Sequence, residues 1–165
     1  MKNVFKIVLI TVLIALGVWL WFILFPSPEK IIRYRLEKLA HTVSFSKNEG
    51  NFSRIASAES VGGFFSTNVE VTINIPGYKQ QTLAGRAEIT QAALASRTRA
   101  GDLSVKFPDV TVTIAPDKQS ATADVTAEAN VAGEKDAIVQ EIKFTFEKTA
   151  EGWLIKRVET VRPLS

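Results

Sequence analysis

The sequence predicts an α+β domain behind an N-terminal transmembrane helix. An uncharged apolar run covers residues 7–25, helix-type spacing with one alternating stretch occupies about 28 to 99, and strand-type alternation prevails from about 103 onward. Because the resulting order is helix, helix, strand, helix and then four strands in succession, we expect about three helices to cover one face of a curved antiparallel sheet, forming a cone-shaped domain. The predicted organisation is a short basic tail at 1–6, a transmembrane helix at 7–25 and a folded domain at 26–165.

The apolar run from Ile7 to Phe25 has 19 residues and no charge. At a rise of about 1.5 Å per residue, a helix of this length spans roughly 28 Å, close to the hydrocarbon thickness of a bilayer. The run exceeds the core of a signal peptide and ends in bulky aromatic residues instead of a small-residue cleavage site. We therefore expect an uncleaved anchor, with a cleaved signal peptide as the alternative. Trp19, Trp21 and Phe25 are predicted to lie at the membrane–water interface.

The orientation of this helix depends on the flanking charges. Two lysines precede the run, and four basic residues follow it closely, namely Lys30, Arg33, Arg35 and Lys38. A plain count favours a cytoplasmic domain, but large domains translocate largely regardless of charge. We favour a bacterial inner membrane with the domain on the periplasmic side. Arg33 and Arg35 are further candidates for contact with anionic headgroups, and a solvated helix face is the alternative.

The composition of residues 26–165 limits the function. Without Lys2 and Lys6 this segment holds 18 basic and 17 acidic residues, so it is close to neutral. The segment lacks the block of basic residues interleaved with aromatic residues that would indicate nucleic-acid binding. The sequence has no cysteine and one histidine, which excludes disulfides and thiolate ligands. We therefore expect no cofactor and no metal.

Three helices are predicted in the domain. The first runs from Pro28 to about Phe45, because a capping serine, a proline and a glutamate mark its start. An apolar stripe at helical spacing supports it: Ile32, Leu36, Leu39 and Val43. The second covers Phe52 to about Phe65, with Ile55, Val61, Phe64 and Phe65 on its apolar side, and the third covers Gly85 to about Arg99. The first helix starts almost directly after the membrane run, so we expect any pocket of the domain to work at the lipid surface.

Strand patterns surround the third helix. Residues 69–75 alternate between apolar and polar, and Pro76-Gly77 ends this strand. Residues 103–107 and 110–114 alternate with opposite parity, and Pro108-Asp109 lies at the phase change. A bulge there would keep both triplets facing the core.

The last three strands are predicted as an antiparallel meander over residues 121–131, 138–146 and 153–161. Gly152 ends a tight hairpin loop and suits a positive φ. Small alanines recur along one face of residues 121–129 and leave room between the sheet and the helices. The sequence therefore predicts a pocket inside the cone.

Three stretches in this order resemble the nuclear transport factor 2-like superfamily, also called SnoaL-like or cystatin-like. The first is Phe64-Phe65 with the strand Val69–Ile75 and Pro76-Gly77, and the second is Leu83-Ala84-Gly85-Arg86-Ala87-Glu88-Ile89. The third is the hairpin from Phe144-Thr145-Phe146-Glu147-Lys148 to Gly152-Trp153-Leu154-Ile155-Lys156. The resemblance covers nearly all of residues 28–162 and implies a strongly bent sheet around three helices. The superfamily includes isomerases, dehydratases, polyketide cyclases and non-catalytic binding modules, so the resemblance does not select a function.

The resemblance also implies where a catalytic group would lie. Family isomerases and cyclases often carry a proton-transfer residue just before the Pro-Gly pair, where this sequence has Asn74, which cannot act as a base. Asp109 or Asp124 could substitute, but their alternation predicts the solvent face, and His41 lies off the apolar stripe. We therefore assign no catalytic residue. Asn74 and Tyr78 are the candidate ligand-binding residues, Tyr78 as a cap on the pocket mouth, with packing or plain exposure of Tyr78 as the alternative.

Two functional hypotheses follow. We favour a membrane-anchored, non-enzymatic module that binds a small apolar ligand or a protein partner. The alternative is a membrane-bound isomerase or dehydratase acting on a lipid-like substrate in the cone. A buried ionisable residue in the cone, within hydrogen-bond reach of another polar group, would favour the enzyme, and an apolar lining would favour binding. The expected partners are the lipid bilayer and this ligand or protein, with no nucleic acid. A homodimer through the outer sheet face is left open as an alternative. The polar residues of that face do not favour it.

Overall fold

A computed structural model describes residues 10–20, 26–74, 80–99 and 101–161, and it confirms the α+β class. The helices within these ranges are α1 (10–20), α2 (Pro28–Val43), α3 (Asn51–Gly62) and α4 (Arg86–Arg99). The strands are β1 (Phe65–Ile73), β2 (Gln81–Ala84), β3 (Leu103–Ile114), β4 (Ser120–Val131), β5 (Ile138–Thr149) and β6 (Gly152–Thr160).

The N-terminal helix α1 exposes every one of its residues, including Trp19. Within the described residues, no helix combines the length and the apolar character that a membrane span requires. The predicted span also includes residues 7–9 and 21–25, and therefore Trp21 and Phe25, which lie outside the described residues.

Helix α2 begins as predicted. The hydroxyl of Ser27 accepts the N–H of Lys30 at 3.4 Å, and Pro28 occupies the first turn. Its apolar stripe is buried at Ile32, Leu36 and Leu39. The helix ends at Val43 and not at Phe45, because Phe45 exchanges two backbone hydrogen bonds with Leu103 of β3, both at 2.9 Å.

Helix α3 is shorter than predicted and ends at Gly62, so Phe65 starts β1 instead. Among the apolar residues predicted for this helix, Val61 is buried as expected, together with Ala58, whereas Ile55 is exposed and that prediction was wrong. Gly62 lies where α3 crosses α4, and a Cβ there would overlap the hydroxyl oxygen of Thr90. The glycine therefore permits the close approach of α3 to α4.

The sheet is mixed, which corrects the expectation of an antiparallel sheet. Its strand order is β2-β1-β6-β5-β4-β3. Strands β3 to β6 form the predicted antiparallel meander, but β1 pairs with β6 in parallel, with Val71 opposite Val158. Both valines belong to the buried core.

Strand β2 was missed by the sequence analysis. Residues 81–84 pair antiparallel with β1, and Leu83 opposes Val71. Four residues are too few for alternation to stand out from a loop, so the neighbouring strand determines this element.

The predicted bulge in β3 is confirmed. The register with β4 shifts between Lys106 and Asp109, and Phe107 and Val110 both pack against the core. The extra residue curves the sheet toward the helices. The core between the helices and the sheet includes these buried residues: Ile32, Leu36, Val69, Ala123, Val125, Phe146 and Ile155.

Candidate functional site

A cavity of about 380 Å³ lies between the helices and the concave face of the sheet, and we call it the cone cavity. Its volume is in the range of small-molecule sites. Its walls are mainly apolar side chains from α2, α4 and all six strands, including Leu39, Val43, Ile73, Leu83, Ile89, Ala93, Phe107, Ala127, Ala129, Ile142, Phe144 and Val158.

Small residues on facing elements create this space. Ala127 and Ala129 of β4 lie on one wall, and Ala92 and Ala93 of α4 lie on another. The alanines nearer the start of β4 pack into the solid core instead, since Ala123 is fully buried there. The predicted room along residues 121–129 is thus confirmed only for the later part of the strand.

Polar groups enter the lining at two places. Gln81, Ser96, Gln140 and Thr160 contribute uncharged groups, and Gln81 and Ser96 are exposed, so the cavity opens toward solvent beside them. Arg97 is the charged residue among the described lining residues. No carboxylate and no histidine belong to the lining that the structure describes.

Arg97 is buried, with 2% of its side chain exposed, and its charge is compensated. Its Nε lies 3.5 Å from Oε2 of Glu49, and its guanidinium donates to the carbonyl oxygens of Thr42 and Ala93. The guanidinium also lies 5.2 Å from the ring centre of Phe45. Burial lowers the pKa of Arg97, and the charge of Glu49 acts in the opposite sense.

The sequence analysis missed Arg97. It occupies the position four residues after Ala93 and eight after Ile89, on the same stripe of α4. A charged residue that continues an apolar stripe was the signal that would have identified it.

The chemistry available to the cavity is limited by this lining. Arg97 partly meets the criterion set for an enzyme, because it is ionisable, buried and hydrogen-bonded. However, a guanidinium stays protonated near neutral pH and does not serve as a general base. It can orient a polar end of a ligand or stabilise negative charge. Among the described residues, no group of three or more His, Cys, Asp and Glu side chains is arranged to hold a metal ion.

The two candidate ligand residues have different outcomes. Asn74 is half-buried directly after β1, and its backbone N–H donates to the hydroxyl of Thr160 at 3.0 Å. Its neighbours Ile73 and Thr160 line the cone cavity, whereas Asn74 itself is not in the described lining. Tyr78 lies outside the described residues. Ligand binding by either residue stays a prediction.

The expected solvent positions of three polar residues are confirmed. Asp109 and Asp124 are both exposed, and Asp124 lies 4.0 Å from Lys143 on β5. His41 is exposed on α2 and does not line the cone cavity.

The two basic residues predicted at the membrane interface, Arg33 and Arg35, make different contacts. Arg33 pairs with Glu29 at 3.1 Å and donates to the carbonyl of Val110 on β3. Arg35 is half-buried on another side of α2, and its guanidinium lies 5.4 Å from the ring centre of Phe64. Their contact with lipid stays a prediction.

The cone cavity lies away from the start of the domain. Helix α2 contributes Leu39 and Val43 to the lining, and Leu39 is 11 residues after Pro28, or about 16 Å along the helix axis. The cone cavity therefore does not adjoin the uncharged run, contrary to the expectation for a pocket of this domain. A different groove adjoins residue 26 and is described below.

Comparison with protein-family models finds no match, and comparison with curated proteins finds none. Solved structures do match. An NTF2-like protein of unknown function from Pseudomonas putida has a TM-score of 0.61 at 12% identity, covering 83% of this chain and 87% of that one. A domain of unknown function with a cystatin-like fold from Nostoc punctiforme has a TM-score of 0.59 at 18% identity, covering 86% and 80%.

A third match is a protein from Novosphingobium aromaticivorans that is provisionally named a scytalone dehydratase. It has a TM-score of 0.55 at 15% identity, covering 81% of this chain and 84% of that one. At such identities the likeness concerns the fold. The chain therefore has an NTF2-like, cystatin-like fold, shared by proteins of unknown function and by one with an enzyme's name.

Proposed function

We propose that this protein is a membrane-anchored, non-enzymatic module whose cone cavity binds a small apolar ligand. The observation that carries the proposal is the apolar lining of the cavity, which lacks a carboxylate or histidine among its described residues. A site of this kind gains affinity from burial of apolar surface and orients its ligand with a few polar groups.

The anchor in this proposal is the uncharged run at residues 7–25. The part of it described in α1 exposes apolar side chains such as Leu13, Ile14 and Trp19, at 61%, 62% and 63%. A helix that is apolar on all sides suits a lipid environment. We place the anchor in a bacterial inner membrane with the domain on the periplasmic side.

The charges on the outer sheet face argue against a homodimer and therefore favour the hypothesis of a bound ligand. Its charges are paired within one chain, as between Arg157 and Glu70 at 2.8 Å and between Lys156 and Glu147 at 3.5 Å. A dimer that covered this face would have to desolvate these groups, and such pairs rarely return that cost.

Mass spectrometry of small molecules that copurify with the detergent-extracted full chain tests the proposal. We expect a hydrophobic compound from the wild-type protein and its loss from Ala129→Phe, because the new ring occupies the cavity. The matched control is Asn130→Phe, which adds the same ring at the next residue but on the outer face. Equal ligand content in both variants, or no compound in repeated wild-type preparations, would contradict ligand binding in the cone.

A second candidate is an isomerase or dehydratase that acts on a lipid-like substrate. Arg97 favours it, because a buried cation beside the cavity can stabilise a developing oxyanion. If this candidate holds, incubation with the copurified compound changes its mass or double-bond position, and Arg97→Leu stops that change while the compound still binds. Recovery of the compound unaltered would rule out the enzyme for that ligand.

A further inference from the structure

A second concave surface lies between α2 and α3, which we call the α2–α3 groove. It encloses about 1020 Å³ and is open to solvent. Its lining includes Pro26, the residue directly after the uncharged run, and Lys148 and Trp153 of the β5–β6 hairpin region. Arg35 and Lys38 of α2 extend the groove away from Pro26.

Arg35 is the central feature of the groove because its charge is not compensated. Its Nη2 donates to the carbonyl oxygen of Gly63 at 3.4 Å, and its guanidinium packs over Phe64. Its Nε is buried without a hydrogen-bond partner, and within the described residues no carboxylate lies within 4 Å of this side chain. Burial lowers the pKa of Arg35.

Most other arginines of the described residues have acidic partners; Arg54, which is outside the groove lining, is an exception whose Nε also lacks a hydrogen-bond partner. Arg33 pairs with Glu29 at 3.1 Å, although it is only two residues from Arg35 on α2. Arg97 and Arg157 pair with carboxylates at 3.5 and 2.8 Å. A half-buried cation without such a partner has lost hydration that an anionic ligand would replace.

Two further basic side chains line the groove, Lys38 on α2 and Lys148 on β5. Lys38 and Lys148 lack a carboxylate within 4 Å among the described residues. Glu49 is the acidic residue in the described lining, and it faces Arg97. The hydroxyls of Ser57 and Ser60 donate to Glu49 and to the carbonyl of Ala56, so these two donors are already engaged within the chain.

We propose that the α2–α3 groove binds the phosphate of an anionic phospholipid headgroup, with Arg35 as the principal donor and Lys38 beside it. Charge complementarity argues for the phosphate, since guanidinium groups hold phosphate oxygens through paired N–H donors. Continuity with the uncharged run at Pro26 argues for a lipid source. This inference rests on the proposed membrane anchoring, but it concerns a different surface from the cone cavity.

The test is a titration of the full chain in uncharged detergent micelles, with dihexanoylphosphatidylglycerol as the probe. The readout is the Nε–Hε resonance of Arg35 in a nitrogen–proton NMR spectrum, assigned by its loss in Arg35→Lys. We expect a saturable shift, weaker binding of dihexanoylphosphatidylcholine, and at least about a 10-fold loss of affinity in Arg35→Gln, measured from the perturbed backbone amides of α3.

Arg33→Gln is the matched control, because it removes one charge from the same turn of α2 but outside the groove. We expect it to weaken binding by less than about 2-fold. Equal losses in Arg33→Gln and Arg35→Gln would overturn the groove and leave only a general attraction between a basic helix and lipid. If Arg35→Gln does not fold, the wild-type Nε shift and Arg35→Lys still decide the question.

Two further outcomes overturn the proposal. Absence of an Arg35 shift with the phosphatidylglycerol probe would exclude headgroup binding. Inorganic phosphate that binds as tightly as that probe would assign the groove to a free phosphate compound. Because the probe is soluble, these results do not depend on anchoring, which is tested separately by extraction of membranes at high pH.

Discussion

Arg97 at the end of α4 and Glu49 before α3 form an ion pair, with 3.5 Å between Nε and Oε2. The pair joins two segments that are distant in sequence and lies between the cone cavity and the α2–α3 groove, since Arg97 lines the first and Glu49 the second. Because Glu49 compensates the charge of Arg97, the apolar cavity can have an arginine in its wall without an isolated buried charge.

The first prediction concerns this pair. Glu49→Gln keeps acceptors for Ser53 and Ser57 but leaves Arg97 uncompensated, so we expect a loss of about 2 kcal/mol in the free energy of unfolding. Urea unfolding of the full chain in uncharged detergent measures it. The control is Glu151→Gln, whose pair with Arg86 at 3.8 Å is solvent-exposed and should cost less than about 1 kcal/mol. Equal losses would show that the buried pair contributes nothing special.

The second prediction concerns the contact between α3 and α4. Gly62→Ala forces a methyl group onto the hydroxyl of Thr90, so we expect a destabilisation of about 1–3 kcal/mol. Gly50→Ala is the control, because the position before α3 has open space around an added Cβ. Thermal unfolding followed by circular dichroism compares the two, and unchanged stability of Gly62→Ala would mean that the helices separate without cost.

The third prediction concerns acid stability. The backbone N–H of Lys47 donates to Asp102 at 2.7 Å and lowers the pKa of that carboxyl, and the Ser46 hydroxyl acts in the same sense. Because the pKa is lower in the folded state, the contribution of Asp102 is complete above the unfolded pKa of about 3.9 and is lost as pH falls through the folded pKa.

The measurement is a series of urea midpoints between about pH 7 and pH 3. We expect Asp102→Asn to lose less stability on acidification than the wild-type protein. Asp136→Asn, in the exposed loop between β4 and β5, should follow the wild-type curve. A curve for Asp102→Asn that is parallel to the wild-type curve would refute the linkage.

The fourth prediction concerns orientation. With the domain on the periplasmic side, protease added to intact spheroplasts should degrade the domain, while a cytoplasmic marker protein survives. Full protection of the domain until lysis would reverse the proposed topology.

Much of the fold was predictable because local chemistry expresses it. Ser27 and Pro28 start α2 as capping rules require, and the parity change around Pro108 identifies the bulge. Gly152 has the expected positive φ of 103°. Each of these features depends on a few neighbouring residues.

The site was less predictable because it depends on which elements meet. The four-residue strand β2 and the parallel pairing of β1 with β6 arise from long-range burial of valines and leave little local signal. Arg97 looked like an ordinary basic residue in the last turn of a helix. Only the packing of α4 against the segment around Phe45 and Glu49 makes it a buried, paired cation.

The sequence by itself determined the helix and strand types, the bulge and the expectation of a cone, because hydrophobic period and backbone preference act over a few residues. The tertiary structure decided where the space lies. Ala127 and Ala129 line the cavity together with Ala92 and Ala93 of α4, whereas Ala123 is packed in the core. It also separated Arg33 from Arg35, because two positions two residues apart on a helix face different neighbours.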